Sequence, residues 1–194
     1  MNILHLRRPR RITLLRAIPF VALSALLVGA VFAARRTSLP PLRTVSHVDI
    51  PRYMGHWRVI AEIPYFAERG AVDSVESYSL LPDGTIHNWF TSRKNSFDAP
   101  ERTINAHAYI VNKQTNAEWK VKFLGGIITA PYLILDLDPD YQWTVVGYPS
   151  RNLGWIMARE KTLPESTYNA ILKRLAAQHY DISRFEKVPQ LPPH

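Results

Sequence analysis

The chain has 194 residues, 24 Lys plus Arg against 16 Asp plus Glu, 46% apolar residues and no cysteine. That composition excludes a disordered tail, a disulfide scaffold and a thiolate metal site, and fits one globular domain. The formal charge of +8 is confined to the N-terminus: residues 1–44 carry eight arginines and no acid, so the rest holds 16 bases against 16 acids and lacks the cationic excess that a nucleic-acid surface needs.

Arg7, Arg8, Arg10, Arg11 and Arg16 precede an uncharged run from Ala17 to Ala34, which as a helix of about 1.5 Å per residue nearly spans a bilayer core. The basic start, the apolar stretch and the small residues up to Ala33 and Ala34 equally fit a cleavable secretory signal, whereas Arg35 and Arg36 disfavour cutting. Residues 1–34 are therefore read as a signal peptide or as a retained signal-anchor helix that attaches the chain to the membrane. The heavier arginine count before the run places the remainder on the non-cytoplasmic side. This is the cell envelope, periplasmic or membrane-anchored, or outside the cell if the signal is cut. No cysteine follows the run to carry an acyl anchor.

Residues 35–47 contain Pro40 and Pro41 among Arg, Ser and Thr and read as an extended linker. The folded domain is expected over 48–188, with a flexible tail at 189–194.

From Trp57 onward, short alternating or β-branched apolar units are separated by turn residues, the pattern of an antiparallel sandwich or barrel. Eight units are predicted: Trp57–Ile63, Val72–Leu80, Thr85–Thr91, Arg102–Val111, Trp119–Phe123, Tyr132–Asp138, Gln142–Tyr148 and Leu153–Arg159. Pro82-Asp83-Gly84 punctuates the second and third as a hairpin, and Gly125-Gly126 separates the fifth and sixth. The period then changes. Thr162 and Glu165 form a capping-box pattern with Pro164 in the first turn, and Tyr168, Ile171, Leu172, Leu175 and His179 share one helical face, with Lys173 and Arg174 away from it. The segment Asp181–Val188 is expected to return as an extended tail. Eight strands in up-and-down order can close, which removes both sheet edges and leaves a filled core or room for one small ligand.

Gly55-His56-Trp57, Asp138-Pro139-Asp140-Tyr141 and Trp155-Ile156-Met157-Ala158-Arg159 resemble the three signature regions of the lipocalins. Pro51-Arg52-Tyr53-Met54, Tyr78-Ser79-Leu80, Ala130 to Leu135 and Tyr180 to Phe185 are similar to bacterial lipocalins and apolipoprotein D. The resemblance covers Val48 to about Val188 and implies an all-β, eight-stranded up-and-down barrel with one C-terminal helix packed outside. Leu137-Asp138-Pro139 stands where the usual signature has Thr-Asp-Tyr, and the cysteine that anchors many bacterial relatives is missing. In this scheme Trp57 plugs the narrow end, Gly55 allows the tight entry to the first strand, and Arg159 lies over the indole. With Asp138, these are structural residues rather than ligand contacts.

Counting by two from Trp57 and Arg159 points Val59, Ala61, Met157 and Trp155 inward; similar registers add Tyr78, Trp89, Val121, Phe123, Tyr132 and Ile134. Such a lining suits a lipid or other small hydrophobic ligand with one polar end. His87 and His107 lie on adjacent strands without a third ligand, so no metal or cofactor is expected. No nucleophile elbow, Gly-rich phosphate loop or carboxylate pair is present, and the family's enzymes rely on a cysteine, so no catalysis is expected. The predicted function is binding and storage or carriage of fatty acids, lysophospholipids or similar amphiphiles in the envelope, supporting membrane maintenance. The alternative is an anchored interaction module with a filled barrel, gripping a protein through the loops around Tyr65–Gly70 and Lys94–Glu101.

Overall fold

Eight strands run antiparallel in chain order, and each pairs with the next. They are β1 (Gly55–Glu62), β2 (Ala71–Leu80), β3 (Ile86–Lys94), β4 (Arg102–Ile110), β5 (Glu118–Phe123), β6 (Ile128–Leu137), β7 (Trp143–Gly147) and β8 (Gly154–Ala158). β1 pairs with β8 on one edge and with β2 on the other, so the sheet closes into a barrel. This computed structural model describes residues 39–66 and 68–191, and the expected signal or anchor segment lies outside them. Among the described residues no helix is long and apolar enough to cross a membrane.

Up-and-down order puts the β1–β2, β3–β4, β5–β6 and β7–β8 connections at one end. The other end is closed by α1 (Ile50–Tyr53), whose N-cap Asp49 accepts from the Arg52 N–H. Tyr53, the last residue of α1, and Trp57 beneath it are both fully buried. The Arg159 guanidinium sits 3.6 Å from the Trp57 ring centroid and donates to the carbonyls of His56 and Arg52 at 2.9 and 2.8 Å. Gly55 has φ +94°, and a Cβ there would stand 3.3 Å from Arg159 Nη1, so glycine serves both the left-handed turn and the close approach. Asp138 Oδ2 accepts from the backbone N–H groups of Asp140 and Gln142 and shapes the β6–β7 turn.

Apolar residues form two cores separated by the barrel wall. The inner one gathers Trp57, Val59, Tyr78, Trp119, Ile134 and Met157 among others. The outer one packs Leu135, Val145 and Ile156 of the wall against Tyr168, Ile171 and Leu175 of α2 (Glu165–Ala177). Tyr180, just beyond α2, locks the junction by donating to the Leu153 carbonyl and accepting from the Tyr148 N–H.

Four local expectations change. The capping box does not form: Pro164 is itself the N-cap, with ψ 135° and no side-chain cap bond, which leaves Thr162 outside the helix. His179 lies past the end of α2 at φ 65° and is exposed, because the helix stops at Ala177. β6 begins at Ile128, four residues before the expected start, since Thr129 to Pro131 already pair with β5. The stretch after Tyr180 is not extended throughout: a 3-10 turn at Ile182–Arg184 precedes a short strand β9 (Glu186–Lys187), which pairs with β1 at Ala61 and Glu62.

The chain following β9 is also tied down. Val188 donates to the Ile60 carbonyl, Asp73 donates to the Pro189 carbonyl, and Gln190 Nε2 donates to the Val59 and Ser74 carbonyls. These bonds fill the seam where β2, bulged between Val72 and Val75, leaves β1. The expected flexible tail is therefore docked over Pro189–Leu191, because the parting strands leave backbone groups that need partners.

Candidate ligand-binding cavity

Above the Trp57 plug the barrel is hollow. A cavity of about 350 Å³ opens toward the β1–β2 loop end, and its walls draw on β2 to β8 and on that loop. This lies within the range of about 300–1,000 Å³ usual for small-molecule sites.

Of the ten predicted ligand contacts, Tyr78, Val121, Phe123, Tyr132, Trp155 and Met157 line this space. Val59 and Ile134 are fully buried in the inner core rather than on the cavity wall. Ala61 and Trp89 are corrections. An irregularity between Val59 and Ala61 shifts the β1 register, so Ala61 points outward into the core under α2. On β3 the buried positions are Ile86, Asn88 and Phe90, so Trp89 faces outward, where its ring stacks on His87 at 5.0 Å. His87 itself bonds Asn105, and its ring lies 5.5 Å from that of His107. No group of three metal-ligating side chains exists among the described residues.

Three phenols mark the cavity floor. The Tyr132 hydroxyl is 2.8 Å from both the Tyr53 and the Tyr78 hydroxyls, and the Tyr132 ring stacks on Trp119 at 4.9 Å. Burial raises the pKa of all three phenols well above the ordinary range, so they act as neutral hydrogen-bonding groups.

The sequence reading missed an acidic wall. Glu76 and Glu68 line the cavity, and Glu62, 3% exposed, lies beside Glu68. Asn88 Nδ2 donates to Glu76 at 2.6 Å and Trp155 Nε1 donates to Glu68 at 3.0 Å. Burial pushes the Glu76 carboxyl up to about 8 despite the Asn88 donor. Burial, and then the charge of Glu68, raise Glu62 to about 9. Glu68 is raised by burial, against the hydrogen bonds from Glu62 and then Trp155. Glu76 was legible as the inward neighbour two residues before Tyr78. Glu62 was hidden by the register shift in β1, and Glu68 sits in a loop where no periodicity speaks.

Comparisons with known proteins agree with this architecture. The sequence model of the Lipocalin-like domain matches residues 48–190. The chain is 36% identical over 165 residues to temperature-induced lipocalin-1 of Arabidopsis thaliana, spanning 79% of this chain and 86% of the relative. It is 28% identical over 176 residues to the outer membrane lipoprotein Blc of Escherichia coli (strain K12), spanning 91% and 98%. Among solved structures, insecticyanin from the tobacco hornworm Manduca sexta superposes with a TM-score of 0.64 at 16% identity, over 79% of this chain and 86% of that one.

Proposed function

The chain belongs to the lipocalin family, and we propose that its barrel binds and carries small amphiphiles, of the fatty-acid or lysophospholipid class, in the cell envelope for membrane maintenance. The observation that carries this reading is the hollow above Trp57, walled mostly by apolar side chains and furnished with a few polar groups. Each buried methylene of a ligand chain contributes roughly 0.8 kcal/mol, so a long tail repays the cost of association. A barrel that served only as a platform for its loops would have no need of this space.

Two features support the envelope setting. One relative is named an outer membrane lipoprotein. At the open end, Phe66 on the β1–β2 loop and Leu124 and Ile127 on the β5–β6 loop are 86%, 69% and 85% exposed, an apolar rim suited to taking a ligand from a lipid surface. The N-terminal run of the sequence would hold or deliver the barrel there.

The test is native mass spectrometry of the full-length protein purified without detergent, followed by lipid extraction and by titration with the neutral apolar fluorophore N-phenyl-1-naphthylamine. Co-purifying amphiphile and saturable one-to-one uptake are expected. An empty barrel that takes up no fluorophore overturns the proposal.

A further inference from the structure

The cavity wall is chemically one-sided. Its polar groups at one end are Glu68 and Glu76, and among the described residues that line it there is no Lys, Arg or His. Glu62 stands behind Glu68 and shares a carboxyl-to-carboxyl hydrogen bond with it, while no N–H or hydroxyl of the protein donates to its enclosed Oε2. β1 places it there because the register shift after Val59 turns Glu62, opposite Trp155 on β8, toward the barrel interior. Three carboxyl groups thus gather on one wall, with donors from Asn88 and Trp155 and a carboxyl-to-carboxyl hydrogen bond between Glu62 and Glu68.

Buried carboxylates are ordinarily paired with a cation or saturated with donors, because an isolated buried charge is costly. This wall has no counter-ion, and burial instead holds Glu62 and Glu76 largely in the neutral acid form. The surrounding inward residues, Tyr65, Tyr78, Phe90, Tyr132 and Met157, bring no positive charge. A barrel could fill the same volume with Leu or Gln at no such cost, so the wall fits a ligand that supplies what it lacks.

We propose that Glu62, Glu68 and Glu76 form a head-group site for a protonated amine, and that the amphiphile carried in the barrel ends in an alkylammonium group. This inference rests on the carrier reading above and, among the amphiphiles proposed there, favours those with an amine head over free fatty acids. An ammonium head brings a positive charge and up to three donors to an acceptor-rich wall. Its field draws the facing carboxyls toward ionisation, and the proton released goes to solvent. The anionic head of a free fatty acid meets no cation and faces like charge as soon as any of the three ionises. The apolar tail of either ligand occupies the same hollow, so the head alone decides between them.

The experiment displaces N-phenyl-1-naphthylamine from the full-length protein at pH 7 with three probes of equal chain length: dodecylamine, dodecanol and dodecanoic acid. The amine is expected to compete about tenfold more tightly than the acid, a difference near 1.4 kcal/mol, with the alcohol between them. In the Glu68→Gln/Glu76→Gln double variant the amine-to-acid ratio should collapse toward one. The ratio within each protein is the readout, so a variant that merely loosens the cavity lowers both affinities and leaves it intact. Should the double variant not fold, Glu76→Gln alone gives a smaller ratio change. Proton release on dodecylamine binding, measured by calorimetry in two buffers, tests the unaltered chain. Equal or tighter binding of the acid, or a ratio that survives in the variants, overturns the ammonium site and leaves the carrier reading standing. Failure of the fluorophore to enter the unaltered protein removes both.

Discussion

Gln190 donates from Nε2 to the Val59 carbonyl at 2.8 Å, and the same nitrogen reaches the Ser74 carbonyl on the neighbouring strand at 3.4 Å. One carboxamide thus stitches β1 to β2 where their own ladder ends after Arg58 and Val75. With Val188 and Pro189 bonding Ile60 and Asp73, the C-terminal segment takes part in barrel closure. Deleting residues 188–194 is expected to lower stability by roughly 2–4 kcal/mol, at about 0.5–1.5 kcal/mol per hydrogen bond plus the loss of buried Val188. Gln190→Ala alone should cost about 1 kcal/mol. Urea denaturation followed by tryptophan fluorescence measures both. A truncated chain with an unshifted midpoint would show the segment to be idle.

At the closed end, Arg159 combines a cation–π contact on Trp57 with hydrogen bonds to carbonyls of α1, β1 and the β6–β7 turn. A lysine keeps the charge but has no planar fork to serve these acceptors together. Arg159→Lys should therefore destabilise the fold by about 1–3 kcal/mol. Its effect on fluorophore uptake by the folded fraction should be small, since the cavity lies beyond the Trp57 plug. A large loss of uptake at constant stability would mean that this cluster reaches the ligand.

The barrel was legible in the sequence because short apolar units recur between turns that carry Gly, Pro and Asp, and the Gly55, Trp57 and Arg159 positions were legible because they sit at the ends of the first and last of those units. The cavity lining was legible where a strand kept its period: Trp155 and Met157 on β8, Val121 and Phe123 on β5. Counting by two fails at a register shift, which is why Ala61 was placed inside and Glu62 was overlooked. It also fails where the starting parity is wrong, as for Trp89 on β3, whose inward residues are Ile86, Asn88 and Phe90. An acidic side chain reads as solvated from sequence alone, so three carboxyls converging on a cavity wall become visible only once the strands are curled into contact.

The same carboxyls predict how the unliganded protein responds to pH. Burial holds Glu76 near 8, and burial with the Glu68 charge holds Glu62 near 9, against about 4.3 for an unfolded glutamate. Between these values the unfolded chain has lost protons that the folded chain keeps. The sign follows: this contribution to stability is complete below about pH 4.3 and is lost as pH rises through 8 to 9. Glu186 and Glu76 reinforce the upward shift at Glu62. Urea midpoints at pH 5, 7 and 9 should fall steadily, and Glu62→Gln and Glu76→Gln should each flatten the slope. A midpoint that is level or rises across this range would place these groups in water.

Trp155 joins the two halves of the site, since its ring lines the cavity while its Nε1 donates to Glu68. Trp155→Ala removes the wall, whereas Trp155→Phe keeps most of the ring and removes only the donor. Loss of a buried aromatic contact of about 1.5–3 kcal/mol predicts at least tenfold weaker uptake of N-phenyl-1-naphthylamine by the alanine variant. The phenylalanine variant should lose much less for this neutral probe. In that variant Glu68 loses a stabilising donor, so its carboxyl rises further and the decline in stability between pH 5 and 9 steepens. Fluorescence titration and urea unfolding of the two variants separate ring from hydrogen bond. Equal losses of uptake in both would assign the effect to the Glu68 contact and take the indole surface out of the ligand's path.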